Sequence, residues 1–267
     1  MTTIAVTLIG GPTALIEIAG FRLLTDPTFD PPSEYRLPHV TLRKTTSPAI
    51  DAGEIGSLDA VLLSHDQHAD NLDHAGRAYA LAAERVFTTA AGAGRLGGRC
   101  IGLRPWDETA IDHSDASLAI VATPARHGPA GIEPLSGDVI GFVVRSADAC
   151  IYITGDTVWF DGVADVARRF DPDIVILFAG AARTRGPFYL TMDTNDAIET
   201  AHACPRAAIV PVHCEGWEHF SQNRQDLELS FNALGIGSRL RMIEPGVRIS
   251  VEIAPRSGRT AEPGDPA

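Results

Sequence analysis

Nine histidines are present, and their placement carries more chemistry than their number. His65 and His68 stand in VLLSHDQHADNLD, directly after a short apolar run of the kind that forms a buried strand. His127 follows a second such run in ATPARHG, Asp156 a third in YITGDT, and His213 a fourth in IVPVHCEGW. Histidine and aspartate are side chains that bind borderline and hard divalent cations. A lone histidine at a strand end is ordinarily structural. Four strand ends together, with Asp66, Asp70 and Asp73 threaded through the first, read as a metal site. In an extended loop residues two apart face one side, so His68 and Asp70 would enter the same site. Asp156 follows Gly155, which permits close backbone approach, and suits the carboxylate that must lie between two cations ~3.5–4 Å apart. Taken alone, Thr-Gly-Asp-Thr would be a turn.

The elements that would position these residues follow from hydrophobic patterning. IAVTLIG, TALIEIAG and the stretch from Phe21 to Thr25 read as strands separated by Gly-Gly-Pro and Ala-Gly-Phe turns. From Asp26 to about Pro48 the chain is rich in proline and threonine, which predicts an ordered surface loop. DAVLLS and RVFTT read as buried strands flanking a helix from about Leu72 to Glu84. SLAIVAT, DVIGFVV and CIYIT are further strands. Helices at about Trp159–Phe170, Thr194–Ala203 and Arg224–Leu234 then alternate with IVILFAG, AIVPVH and a closing strand GVRISVEI. Two strand groups with interleaved helices predict an α/β fold of two sheets packed face to face, helices outside. No linker divides the halves, so residues 1–254 form one domain. PRSGRTAEPGDPA, residues 255–267, is poor in hydrophobics and predicts a disordered tail.

The chain has 267 residues, 45% of them hydrophobic, enough to bury a sizeable core. Its formal net charge of −12 argues against broad binding to nucleic acid and against a polybasic membrane anchor. No apolar run approaches the ~20 residues that span a bilayer, and the N-terminal residues carry no signal-peptide pattern. A cytoplasmic location is therefore expected. Cys100, Cys150, Cys204 and Cys214 include no CxxC pair and read as reduced thiols, mostly buried. Lys44 is the only lysine among 22 basic residues; with the many alanines this points to a GC-rich bacterial genome.

The ordered set SH-D-x-H-x-D, His127, TGDT and PVHC resembles the metallo-β-lactamase superfamily of metal-dependent hydrolases. IGGPTALIEIAGFRLLTDP and FYLTMDTNDAIETA are similar to its lactonase-like and phospholipase-D-like branch. The resemblance covers about residues 3–253. It implies a four-layer αββα sandwich of two mixed β-sheets. It also implies one or two divalent metal ions, with zinc expected and manganese or iron as alternatives. Carried over by position, His65 or its neighbour, His68 and His127 would hold the first metal. Asp70 and His213 would hold the second, Asp156 would bridge both, and Asp26 would orient a ligand histidine. The implied reaction is cleavage of an ester, lactone or phosphodiester by a metal-activated hydroxide, with Asp70 orienting it and taking its proton.

The first motif departs from the family's usual His-x-His-x-Asp-His. One extra residue stands before His68, and Asn71, a poor zinc ligand, stands in the final position, with His74 three residues later. Read from the strand, His65 is the first ligand, the extra residue is absorbed as a bulge, and Asp66 accepts a proton from a ligand imidazole. Read back from Asp70, strict alternation makes Asp66 the ligand and turns His65 away. Imidazole suits zinc better than a further crowded carboxylate, which favours His65. Arg183 and Arg185 in AARTRGPFYL could grip an anionic group on a small-molecule substrate; a solvated loop is the other reading. Trp217 and His219 are candidate pocket residues, or Trp217 packs under the loop. A non-catalytic metal- or metabolite-binding protein on the same scaffold is the competing function. Self-association into a homo-oligomer is open.

Overall fold

The computed structural model describes residues 2–114 and 116–253; the tail expected over 255–267 lies outside the described residues. The strands and helices run, in chain order, β1 (Thr2–Gly10), β2 (Thr13–Ile18), β3 (Phe21–Thr25), β4 (Ser33–Arg36), β5 (Thr41–Lys44), β6 (Ala60–Leu62), α1 (His74–Ala82), β7 (Val86–Thr89), α2 (Ala90–Leu96), β8 (Cys100–Leu103), β9 (Glu108–Asp112), β10 (Ser117–Pro124), α3 (Glu133–Ser136), β11 (Ile140–Arg145), β12 (Cys150–Ile153), α4 (Asp161–Phe170), β13 (Ile174–Phe178), α5 (Thr194–Ala203), β14 (Ala208–Val212), α6 (Arg224–Ala233) and β15 (Arg248–Ile253). One sheet has the order β15-β1-β2-β3-β6-β7-β8, the other β14-β13-β12-β11-β10-β9.

The two sheets share one core. Ile16 and Leu23 from the first sheet meet Ile120, Phe142, Ile153 and Phe178 from the second. Their alternate neighbours in the second sheet, among them Val143, Tyr152, Val175 and Leu177, face outward beneath α4, α5 and α6. Val61, Leu63 and Val86 of the first sheet and its loops pack with Leu72 and Ala80. Strands covered on both faces need apolar residues at consecutive positions, which is why these segments are continuous apolar runs. The result is a four-layer α/β sandwich of two mixed sheets.

The parallel strands decide where the chemistry sits. β3, β6, β7 and β8 run parallel, as do β12, β13 and β14. β10 pairs antiparallel with β11, which is antiparallel to β12, so β10 points the same way as β12. The carboxyl ends of β3, β6, β10, β12 and β14 consequently deliver Asp26, His65, His127, Asp156 and His213 to the mouth of the sandwich.

The expected surface loop over 26–48 is instead built around a hairpin. β4 and β5 pair with Tyr35 opposite Leu42, and Leu37 N–H donates to Val40 O at 2.8 Å. Tyr35, Leu42 and Trp217 form a small buried cluster, so this ribbon has its own apolar anchor. α2, β8 and β9 carry little signal in the sequence, because their segments are short and half-exposed. Among the described residues no helix is long and apolar enough to cross a membrane.

Candidate metal centre

After β6 the chain turns rather than extending. Leu72 N–H donates to His68 O at 2.9 Å, and Asp73 closes the loop by capping α1, its carboxylate accepting from Gly76 N–H at 2.8 Å. Strict alternation therefore does not apply, and His68 and Asp70 belong to different groups. His65 and His68, three positions apart, turn inward together, with His65 Nε2 2.9 Å from His68 Nδ1. Asp66 turns out to Arg95 of α2, whose Nε donates to its carboxylate at 2.9 Å. The expectation that Asp66 accepts an imidazole proton is corrected by this ion pair: its charge is answered from outside the centre. Ser64 takes that place, its Oγ lying 2.9 Å from His65 Nδ1 and donating to Asp26 Oδ2 at 2.5 Å. Asp26 also accepts from Ser64 N–H at 2.6 Å and from the Asn71 amide at 3.0 Å. Burial still pushes its carboxyl up to about 7.

His127 completes the first group. Its Nε2 is 3.2 Å from His68 Nδ1, and its Nδ1 donates to Leu190 O at 2.8 Å. The second group is Asp70, Asp156 and His213. Asp156 spans the two, with Oδ2 3.7 Å from His127 Nε2 and Oδ1 3.4 Å from His213 Nε2. Gly155 sits at φ +61, and an added Cβ would lie 2.6 Å from Ile140 O, so only glycine lets the chain bring Asp156 in here. His213 itself adopts φ 55, a left-handed conformation that costs a non-glycine residue energy and commonly marks a functional site. Asp70 Oδ2 lies 3.7 Å from His213 Nε2 and accepts from His219 Nε2 at 2.9 Å.

The donor set fits divalent cations. Leu190 O fixes the proton of His127 on Nδ1, and Ser64, already donating to Asp26, accepts from Nδ1 of His65. Both rings thus present Nε2 lone pairs toward His68 Nδ1, where one shared proton cannot satisfy three nitrogens. Burial holds His65 well below the usual histidine range and takes His68 down to about 4, keeping both rings neutral at pH 7, the form that ligates. Asp156 Oδ1 and His213 Nε2 face each other across 3.4 Å, both buried and without a well-formed hydrogen bond, an arrangement that a cation between them would satisfy. Burial opposes ionisation of Asp70 and Asp156. The histidines facing them outweigh it and hold both carboxylates below the ordinary range. Burial likewise opposes a proton on His213, and Asp156 and Asp70 overcome it, raising that ring.

A family model for the β-lactamase superfamily domain matches residues 21–214. The chain belongs to this superfamily. A metal-dependent hydrolase of Caldivirga maquilingensis is 25% identical over 89% of this chain and 94% of its own. The isothiocyanate hydrolase from Delia radicum gut bacteria is 25% identical, with a TM-score of 0.78 over 92% of this chain and 98% of that one. A possible metal-dependent hydrolase from Veillonella parvula DSM 2008 shares the fold at 24% identity and a TM-score of 0.80, covering 93% and 99%.

Against the superfamily motif, Asn71 occupies the place of the last histidine and points its amide at Asp26, away from the centre. His74 is exposed and pairs with Asp30 at 3.3 Å, so it does not compensate. Above the centre lies a narrow, open cleft walled by Leu37, Val40 and Leu42 of the hairpin and by Ala182 and Leu190. Arg185 lines it, with its guanidinium donating to Leu135 O at 2.7 Å. Arg183 is exposed and stacks over Tyr189 at 5.7 Å. His219 lines the cleft, while Trp217 packs beneath the hairpin. The spacing of His219, six residues past His213, was the available signal for its approach to Asp70.

Proposed function

We propose that this superfamily member, a metal-dependent hydrolase, cleaves an ester or lactone bond of a small substrate at the centre formed by His65, His68 and His127 with Asp70, Asp156 and His213. The convergence of six histidine and aspartate side chains in two adjoining groups, with unsatisfied donor atoms between them, carries this reading. His65, His68 and His127 would hold one divalent cation, Asp70 and His213 a second, and Asp156 both; zinc suits the imidazole-rich first group, with manganese or iron as alternatives. A cation bound there lowers the pKa of the water it coordinates to about 7, supplying hydroxide at neutral pH. Asp70, the proposed catalytic carboxylate, is held ionised by His219 and His213, which suits orienting the attacking water better than keeping its proton. The apolar walls favour a carbonyl substrate over a phosphodiester, and Arg185 is the single pocket arginine able to meet an anionic substituent.

A second reading draws on the same cleft. A small apolar chamber beside a water-activating centre also suits attack on the electrophilic carbon of an isothiocyanate, the substrate class named for the gut-bacterial relative. The test is elemental analysis of protein purified without chelator or nickel, paired with hydrolysis assays on nitrophenyl esters, simple lactones, a bis-nitrophenyl phosphodiester and an alkyl isothiocyanate. Bound divalent metal with turnover of at least one carbonyl substrate supports the proposal. Bound metal with no turnover of any would favour the binding protein, and metal-free protein that stays so after zinc is added would sink both.

A further inference from the structure

We infer that His219 is a positioning residue for the second cation place, aiming the Asp70 carboxylate from a strap that the superfamily motif does not contain. The inference rests on the two-cation reading above. With Asn71 committed to Asp26, the second place keeps three protein donors, Asp70, Asp156 and His213. A place with few donors depends on how firmly each is aimed, and partners behind metal ligands are ordinarily worth a 10–100-fold change in affinity. Asp70 lies in a tight turn and contributes through a short side chain with free rotation about its carboxylate. The hydrogen bond from His219 Nε2 to its Oδ2, at 2.9 Å, removes that freedom and fixes the oxygen that faces His213 at 3.7 Å.

His219 is itself held. Its ring lies 4.7 Å from that of Phe220 and 6.0 Å from that of Trp217, centroid to centroid. Its carbonyl accepts from Arg183 N–H at 3.2 Å, and the neighbouring Glu218 N–H donates to Arg43 O at 3.0 Å. The segment after β14 is thereby pinned to the β4–β5 hairpin on one side and to the loop after β13 on the other. The polar partner of its ring is Asp70. Only the N–H donor is required of the residue at this position, not a change in its charge.

The experiment is calorimetric titration of zinc into the chelator-stripped full chain, for wild type, His219→Ala and His219→Gln, with cobalt absorption spectra recorded alongside. The expected result is two equivalents in wild type. In His219→Ala the second should bind 10–100-fold more weakly with the first unchanged. In His219→Gln, whose amide can donate to the same oxygen, affinity should largely return, and the cobalt spectrum of the second equivalent should return with it. Unchanged affinity for both equivalents in His219→Ala would overturn the inference while leaving the two-cation reading intact. So would equal weakening of both, or a glutamine variant no better than alanine. A single equivalent in the wild-type chain would overturn the two-cation reading and the inference with it.

Discussion

Asp156 faces His127 with one carboxylate oxygen and His213 with the other, so its truncation separates the two groups without touching the apolar core. Asp156→Ala should reduce bound metal by at least one equivalent and bring hydrolysis to background, while urea unfolding remains a single cooperative transition. Elemental analysis, an ester assay and circular dichroism check the three parts. Normal turnover with full metal would refute the bridging role. A second expectation concerns the stripped protein. The His68 ring titrates at about 4 in the fold against 6.5 in an exposed reference. Between those values the unfolded chain takes up a proton that the native chain refuses, so this ring's contribution is present at pH 7 and is lost as pH falls from about 6.5 towards 4. Relative to His68→Gln, metal-free wild type should lose stability across that window and stay level above it, as read from urea midpoints. At this scale much was legible. His65, His68, His127, Asp156 and His213 could be marked because apolar runs ended on them. The outward turn of Asp66 was not, because it depends on Arg95, 29 positions away on a helix that the sequence hardly announces.

The β4–β5 hairpin shows what element-level reading missed and why. Its strands have four residues each, and the prolines around them dominate any local pattern. The alternation of Tyr35, Leu37, Val40 and Leu42 about a Pro-His turn was the signal that could have revealed it. Beside its apolar anchor and its backbone bonds to the segment after β14, this short ribbon is tied down by one buried ion pair. Lys44 Nζ lies 2.9 Å from Asp73 Oδ2 and donates to Thr28 O at 3.1 Å. Asp73 also accepts from Phe29 N–H and Asp30 N–H and caps α1, so a single carboxylate joins the hairpin, the metal loop and the segment after β3. Lys44→Met removes the cation and leaves Asp73 buried with its charge unanswered. The expected loss is about 3 kcal/mol, at the lower end of the 3–5 kcal/mol range because three N–H donors remain. Chemical denaturation measures it, and a change below about 1 kcal/mol would show that the backbone donors suffice.

Across the whole molecule the two-sheet plan was visible in the runs themselves, since IVILFAG and AIVPVH are too uniformly apolar for any strand with a wet face. Sheet order and the parallel pairing that sends five carboxyl ends to one rim are set by contacts between distant segments, which periodicity does not encode. The core between the sheets is continuous, so damage to it should be global. Phe142, 1% exposed and facing the first sheet, should cost about 3–5 kcal/mol when changed to alanine. Loss of metal affinity should accompany unfolding rather than precede it; metal loss at denaturant concentrations where circular dichroism is still native would contradict a single cooperative unit. The buried pair at Lys44 also gives the folded chain an unusual reactivity towards acylating reagents. The side chain of the chain's only lysine is 5% exposed, so an N-hydroxysuccinimide ester can reach its amine only after the ribbon lifts. Modification of Lys44, followed by mass spectrometry against time, becomes a clock for opening of the cleft, with no competing lysine to blur the reading. Labelling of native protein as fast as in urea would mean that the ribbon spends much of its time open.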